Sequence, residues 1–232
     1  MARKGQKKGL KRSKAPRGWP IARKKKKWTI NPHPGPHNKE ALPLAFILRD
    51  YLGYAHNLRE SKRILNERKV KINGQVRTDF KFPVGILDVV EIPLTGECYR
   101  VLPNQKGAFI LHSITGEERH IRLLKITRKQ LAKNQKVQLG FHDGTSLHVD
   151  SKTYATFGTL LYNFESKSIV EYFPFATGSY VMITAGRNVS RAGKITSVRD
   201  ELVEIQGEEV FRTLRDYVFV LGTKQSAISL GD

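Results

Sequence analysis

The stretch Pro43 to Ile92, PLAFILRDYLGYAHNLRESKRILNERKVKINGQVRTDFKFPVGILDVVEI, decides how the rest of the chain is read. Its apolar residues Leu44, Ile47, Leu48, Tyr51 and Leu52 recur at i, i+3, i+4, i+7 and i+8, the period of a helix that buries one face. Pro43 suits the first turn, where no amide donor is needed. A second helix is expected to start at Asn57, whose side chain can cap it, with Glu60 three residues on completing a capping box. On that helix Arg59, Lys62, Arg63 and Asn66 form one polar, mostly cationic stripe, while Leu58, Ile64 and Leu65 lie toward the other side. Taken alone, such a stripe is as readily a solvated face as a binding face.

The segment VKINGQV follows, with Asn73-Gly74 as a strong hairpin signal. A two-residue loop places Val76 opposite Lys71 and not opposite Val70. Arg77 and Lys81 extend the positive charge, and Pro83 and Gly85 punctuate before an apolar strand, Val89-Val90-Glu91-Ile92. Two helices, an Asn-Gly turn and a closing DVVEI strand resemble the RNA-binding fold first named for bacterial ribosomal protein four. The resemblance implies that the second helix and the turn cradle structured RNA through Lys62, Arg63, Arg68, Lys69 and Lys71. Arg68 stands where a glycine is common in that fold.

The chain has 232 residues and a net charge of +20, and 39% of it is hydrophobic, enough for two or three small folded units. Residues 1–39 hold 14 of the 41 lysines and arginines and no acid, leaving 27 basic against 21 acidic residues beyond them. Such asymmetry points to a polyanion partner. One cysteine, Cys98, excludes an intramolecular disulfide and a multi-cysteine zinc site. No run approaches the ~18 apolar residues of a membrane span, and a cytoplasmic protein is expected.

The opening segment interleaves cations with Pro16, Pro20, Pro32, Pro34 and Pro36, half of the ten prolines. It is expected to be disordered when free, serving as a solubilising tail, an import or membrane-surface patch, or an extension threading between RNA helices. Trp19 and Trp28 favour the last, since an aromatic among cations can stack on a base or pack on a folded neighbour. The beginning MARKGQKKGLKRSKAPRGWP and the later GPHNKEALPL also resemble the start of the small-subunit ribosomal protein four family of archaea and eukaryotes.

Past Ile92, short apolar runs separated by turn residues read as strands: 99–102, 109–114, 120–126, 136–141, 146–149, 159–162 and 169–173, with Asp143-Gly144 as a hairpin turn. Ile126 to Lys133 reads as a short helical insertion. Tyr180 to Ile183 and Lys194 to Val198 flank the loop TAGRNVSRAG, which resembles a KOW motif, with Ser190 where many members have glycine. Further strands at 202–205, 210–214 and 217–221 suffice to close a small barrel, and GTKQSAISLGD reads as a loose tail that docks elsewhere.

No catalytic set emerges. Gly186 to Lys194 has six residues between its glycines, not the four of a phosphate loop, and Ile195 stands where a magnesium-binding hydroxyl belongs. His33 and His37 are separated by prolines that forbid a shared helical face. His142-Asp143 and His148-Val149-Asp150 lack a nucleophile at motif-like spacing and read as surface groups.

The fold class expected is thus α+β, mostly β: a basic extension over 1–42, a ribosomal-protein-four-type module over 43–92, a central β unit over 93–175, a KOW SH3-like barrel over 176–222, and a tail over 223–232. The joint resemblance implies a non-catalytic component of the small ribosomal subunit, closest in length to archaeal members, that binds ribosomal RNA beside neighbouring ribosomal proteins. No cofactor, metal, membrane or small-molecule substrate is expected. The candidate RNA contacts are Arg3, Lys4, Lys7, Lys8, Lys11, Arg12, Lys14, Arg17, Lys24 and Lys25 in the extension; Arg59, Lys62, Arg63, Arg68, Lys69, Lys71 and Arg77 in the module; and Arg187, Asn188, Arg191 and Lys194 in the last loop. Two rivals use the same parts. An RNA-modifying or tRNA-charging enzyme shares the module but needs a large catalytic domain, and an elongation factor shares the KOW unit but cycles off the ribosome.

Overall fold

The computed structural model describes residues 9–37, 41–132, 136–150 and 153–231. The protein is mostly β, with few helices. Near the N-terminus, β1 (Leu10–Lys11) pairs antiparallel with β2 (Trp28–Thr29) and closes a loop. This segment is not the loose tail that its composition suggests. Ala15 and Trp19 are buried in the same cluster as Leu44, Phe46, Ile47 and Ile72, and the Trp19 ring meets Phe46 edge-on with centroids 5.4 Å apart. The Arg23 guanidinium locks the loop by donating to the carbonyls of Arg12, Ala15 and Pro16 at 3.1, 2.9 and 2.7 Å.

β3 (Leu42–Pro43) pairs with β6 (Pro83–Val84), so Pro43 belongs to a strand just ahead of the helix and not to its first turn. α1 (Leu44–Phe46) runs into a wider turn over Ile47–Tyr51, which the Leu52 amide closes on the Ile47 carbonyl at 2.9 Å. Leu44, Ile47 and Leu48 are buried as the periodicity predicts, and so is Phe46, which the docked N-terminal segment covers with Trp19. α2 (Leu58–Asn66) starts as its capping box requires: the Asn57 side chain accepts from the Glu60 amide at 3.0 Å, and Glu60 reaches back to the His56 amide at 2.7 Å. It ends at Arg68, whose φ of +57° is the left-handed conformation that a glycine would adopt without strain.

β4 (Lys71–Ile72) and β5 (Gln75–Val76) form the two-residue hairpin, with Lys71 opposite Val76. Asn73 and Gly74 both have positive φ, and the Asn73 side chain ties the turn down by donating to Asp88 at 2.7 Å and accepting from the Val89 amide at 2.9 Å. The sheet continues through β7 (Val89–Ile92), β8 (Glu97–Pro103) and β9 (Phe109–Ser113) in the order β5-β4-β7-β8-β9. The two strands read as the start of a central unit therefore hydrogen-bond into the sheet of the module.

The second large sheet has the order β12-β11-β10-β13-β14, made of β10 (Ile121–Leu131), β11 (Val137–Phe141), β12 (Ser146–Val149), β13 (Thr159–Asn163) and β14 (Ser168–Phe173). Ile121 to Lys125 of β10 pair with β13, and Ile126 to Leu131 pair with β11, with a register shift between Ile126 and Arg128. The expected helix at 126–133 is thus a strand through Leu131. The third sheet follows the order β18-β17-β16-β15-β19, from β15 (Tyr180–Ile183), β16 (Ala192–Arg199), β17 (Leu202–Gln206), β18 (Val210–Leu214) and β19 (Val218–Gly222). Its core, including Val181, Ile195, Val203 and Val220, is continuous with Leu123, Leu161 and Phe173 of the second sheet.

The C-terminal residues dock on this body. Arg100, 1% exposed, donates to Glu118 and to the Glu118 and Ile121 carbonyls, all at 3.0 Å, while Glu118 accepts from the Ser229 hydroxyl at 2.8 Å.

Candidate nucleic-acid interface

The positions of the expected contacts follow from these elements. Arg3, Lys4, Lys7 and Lys8 lie outside the described residues. Lys11, Lys14, Arg17, Lys24 and Lys25 are exposed on the docked N-terminal loop. Arg12 is not free: its Nε donates to the Trp28 carbonyl at 3.1 Å and its terminal nitrogen to the Ala22 carbonyl at 2.7 Å, so it holds the loop. Trp19 packs inside, whereas Trp28 is 54% exposed with Lys27 Nζ 5.4 Å from its ring centroid.

On α2, Arg59, Lys62 and Arg63 are exposed as one stripe, opposite buried Ser61 and Leu65. Lys62 Nζ sits 4.5 Å from the centroid of Phe80, which sets its direction. Glu67 pairs with Arg63 at 3.0 Å and with Lys69 at 2.6 Å, and Lys71 lies 3.7 Å from Glu91. These pairs lie at or near the surface, where solvent screens them, so a phosphate can replace the carboxylate at little cost. Arg77 is half-buried, over the Phe82 ring.

In the last loop, Gly186 and Ser190 have φ of +90° and +72°, and the Ile183 amide donates to the Arg191 carbonyl at 2.9 Å. Arg187 and Lys194 are exposed and Asn188 half-buried. Arg191 is held between Glu209, at 3.3 Å, and the Phe211 ring, 5.8 Å from its centroid. The structure brings this loop beside the N-terminal segment: Arg17, Gly18 and Trp19 line one cleft with Thr184, Gly186 and Val189. The module and the C-terminal loop, far apart in sequence, are bridged by that segment.

Of the two histidines expected at the surface, His148 keeps that place and His142 does not. His37 is buried, with Nε2 2.8 Å from Asp88. Burial lowers its pKa, but the Asp88 charge and hydrogen bond more than offset this and leave it raised. The Asp88 carboxyl, despite burial, is held below the usual range by His37 and by the Gly85 and Asn73 donors. His142, expected at the surface, lies inside between His37 and Phe219, with ring centroids 5.5 and 5.1 Å away. Its Nδ1 accepts from the Lys125 amide at 3.3 Å, which places the proton of the neutral ring on Nε2, and burial, reinforced by His37, drives its pKa down to about 4. His148 is exposed. His33 pairs with Asp79 at 2.6 Å. Among the described residues no group of three or more His, Cys, Asp or Glu is placed to hold a metal, and no helix is long and apolar enough to cross a membrane.

These features define a basic, mostly β protein that presents cations from several elements on a closely packed body. Residues 95–169 match the model of ribosomal family S4e, and residues 4–40 match the RS4NT (NUC023) domain. Small ribosomal subunit protein eS4 of Pyrobaculum islandicum is 41% identical over 95% of this chain and 98% of its own length. The eS4 protein of Methanothermobacter thermautotrophicus is 40% identical over 99% and 98% of the two chains. The crystal structure of 30S ribosomal protein S4e from Thermoplasma acidophilum superposes with a TM-score of 0.72 at 36% identity, over 82% of this chain and 99% of that one. The class is therefore that of ribosomal structural proteins, not enzymes. The chain belongs to ribosomal family S4e.

Proposed function

We infer that the protein is a structural component of the small ribosomal subunit, at work in the cytoplasm, which binds ribosomal RNA and stabilises its fold during assembly and translation. The observation that carries this is the nearly end-to-end relationship to small-subunit eS4 proteins at about 40% identity. The mechanism is non-catalytic. Cations displace condensed counterions from phosphates, and recognition reads shape and backbone because the major groove of A-form RNA is too narrow for side chains.

The N-terminal cations, the α2 stripe with Arg68, Lys69, Lys71 and Arg77, and the loop Arg187, Asn188, Arg191 and Lys194 are the proposed RNA-contacting set. Their exposure supports most of it, while Arg12 is better read as a scaffold for the rest. The third sheet is read as an SH3-like KOW unit; five antiparallel strands with a glycine-bearing basic loop between β15 and β16 support this. The proposed partition keeps a separate RNA-binding module, central β unit and KOW unit, with the first sheet extended to Ser113. Neighbouring small-subunit proteins are the proposed protein partners.

Sucrose-gradient sedimentation of a cell lysate at low and then high salt, with mass spectrometry of the fractions, tests the reading. Near-stoichiometric protein in the small-subunit peak after the high-salt wash is the expected result. Protein at the top of the gradient, or lost from the peak at modest salt, would refute it.

A further inference from the structure

The β4–β5 hairpin and the second sheet enclose a cavity of about 360 Å³. Arg77, just after β5, Arg122 on β10 and Lys167 in the β13–β14 turn line it together. Both arginines are pre-set by aromatic faces, Arg77 over Phe82 at 4.4 Å and Arg122 over Tyr162 at 5.6 Å from the ring centroids. Arg77 also donates to the Gln75 side-chain carbonyl at 2.6 Å, and Arg122 to Asp143 at 2.9 Å. Yet the Nε–H of each is buried with no acceptor among the described residues. Buried donors on charged groups are rarely left unpaired, and both belong to side chains that line this one cavity.

The charge balance says which acceptor. Two carboxylates line the cavity, but Asp88 is already paired with His37 and Asp143 with Arg122. Arg77 and Lys167 have no carboxylate within ion-pair distance among the described residues. The cavity is left with excess positive charge and planar guanidinium donors, a combination suited to a tetrahedral oxyanion. One wall is rigid, because the hairpin tip rests on the Phe164 ring: a Cβ added at Gly74 would stand 2.5 Å from it.

We propose that Arg77, Arg122 and Lys167 form an oxyanion site that clamps one backbone phosphate of ribosomal RNA between the hairpin and the second sheet. The site rests on the RNA-binding reading above and adds to it two residues, Arg122 and Lys167, that lie outside the module and the basic loop.

The test uses the full chain and small-subunit ribosomal RNA, with the binding constant followed against salt. Arg77→Gln and Lys167→Gln should each weaken binding about tenfold and lower the slope of log K against log salt by about 1. Their melting temperatures report that the fold is kept; Arg122→Gln is avoided because it would strand buried Asp143. Inorganic phosphate, titrated while the arginine Nε–H signals are read by NMR, should shift those of Arg77 and Arg122. If the unaltered protein fails to bind the RNA, the ribosomal reading falls. If it binds and both variants keep its affinity and slope, only the clamp is overturned. Phosphate shifts with unchanged RNA binding would assign the cavity to a free anion and overturn the clamp equally.

Discussion

The docking of the N-terminal segment rests most heavily on Trp19, and its removal has a calculable effect. Trp19 is 4% exposed and edge-on to Phe46. A buried aromatic of this size hides about 150–250 Å², and at about 25 cal/mol per Å² that is roughly 4–6 kcal/mol before the compactness of the unfolded chain is allowed for. Against this, the indole Nε1–H is buried with no acceptor among the described residues, a penalty of about 1–3 kcal/mol. Trp19→Ala should therefore cost roughly 1–5 kcal/mol, and Trp19→Phe less than about 1.5, because it removes the orphan donor along with part of the ring. Urea unfolding and hydrogen exchange of the amides between Ala15 and Ile30 would measure both. The Trp28→Phe variant, which leaves Trp19 as the sole indole, should give a blue-shifted emission protected from a soluble quencher. Solvent-like emission from that variant, or a Trp19→Ala chain as stable as its parent, would show the segment undocked and refute the reasoning.

Arg68→Gly and Ser190→Gly each relieve a left-handed backbone position and should raise stability by up to about 1 kcal/mol, less the entropy that glycine adds to the unfolded chain; thermal unfolding decides, and clear destabilisation would contradict the strain. Reversing Lys62 and Arg63 to Glu should weaken ribosomal RNA binding by tenfold or more with the circular dichroism spectrum unchanged, and unaltered affinity at matched salt would remove α2 from the interface. In urea titrations against pH, the raised His37 pKa means that its contribution is complete below the unfolded value of 6.5 and lost as pH rises through the folded value. The lowered Asp88 value acts oppositely, its contribution being present above 3.8 and lost as pH falls through the folded value. For His142, held at about 4 against 6.5, the unfolded chain takes the proton first, so stability should fall on acidification between these values and His142→Gln should flatten that fall.

The elements legible in the sequence are those fixed by neighbours along the chain. The Asn57–Glu60 box and the Asn73-Gly74 turn are set by residues within a few positions of each other, so local chemistry suffices to place them. What escaped depends on distant partners. Nothing around Trp19 names Phe46, and nothing in ITRKQLAK says that β11 offers a ladder to pair with; with Thr127 to Leu131 exposed, no alternation marks the strand. His142 carries no local sign of burial because His37 and Phe219, which enclose it, come from 105 residues before and 77 after it in the chain. Arg122 and Lys167 give no local signal for the same reason: each is one cation on an ordinary strand or turn until the fold sets them around one cavity with Arg77.

The docked segment also changes how RNA binding is to be understood. An extension that orders only on RNA would charge its entropy, about 1–2 kcal/mol per residue for the backbone alone, against the binding free energy. Here Ala15, Trp19 and the Arg23 clamp supply the ordering of residues 9–37 from within the protein. Lys14, Arg17, Lys24 and Lys25 are then presented from a fixed scaffold, so more of the counterion release from their phosphate contacts remains as affinity. Loosening the scaffold with Arg23→Gln should therefore weaken RNA binding even though the carbonyl-bound guanidinium is not itself offered to phosphate. The salt slope should stay nearly constant, because the number of contacting cations is unchanged while the cost of ordering them rises. A slope that falls by about 1 would instead make Arg23 a phosphate contact and remove the argument for pre-organisation.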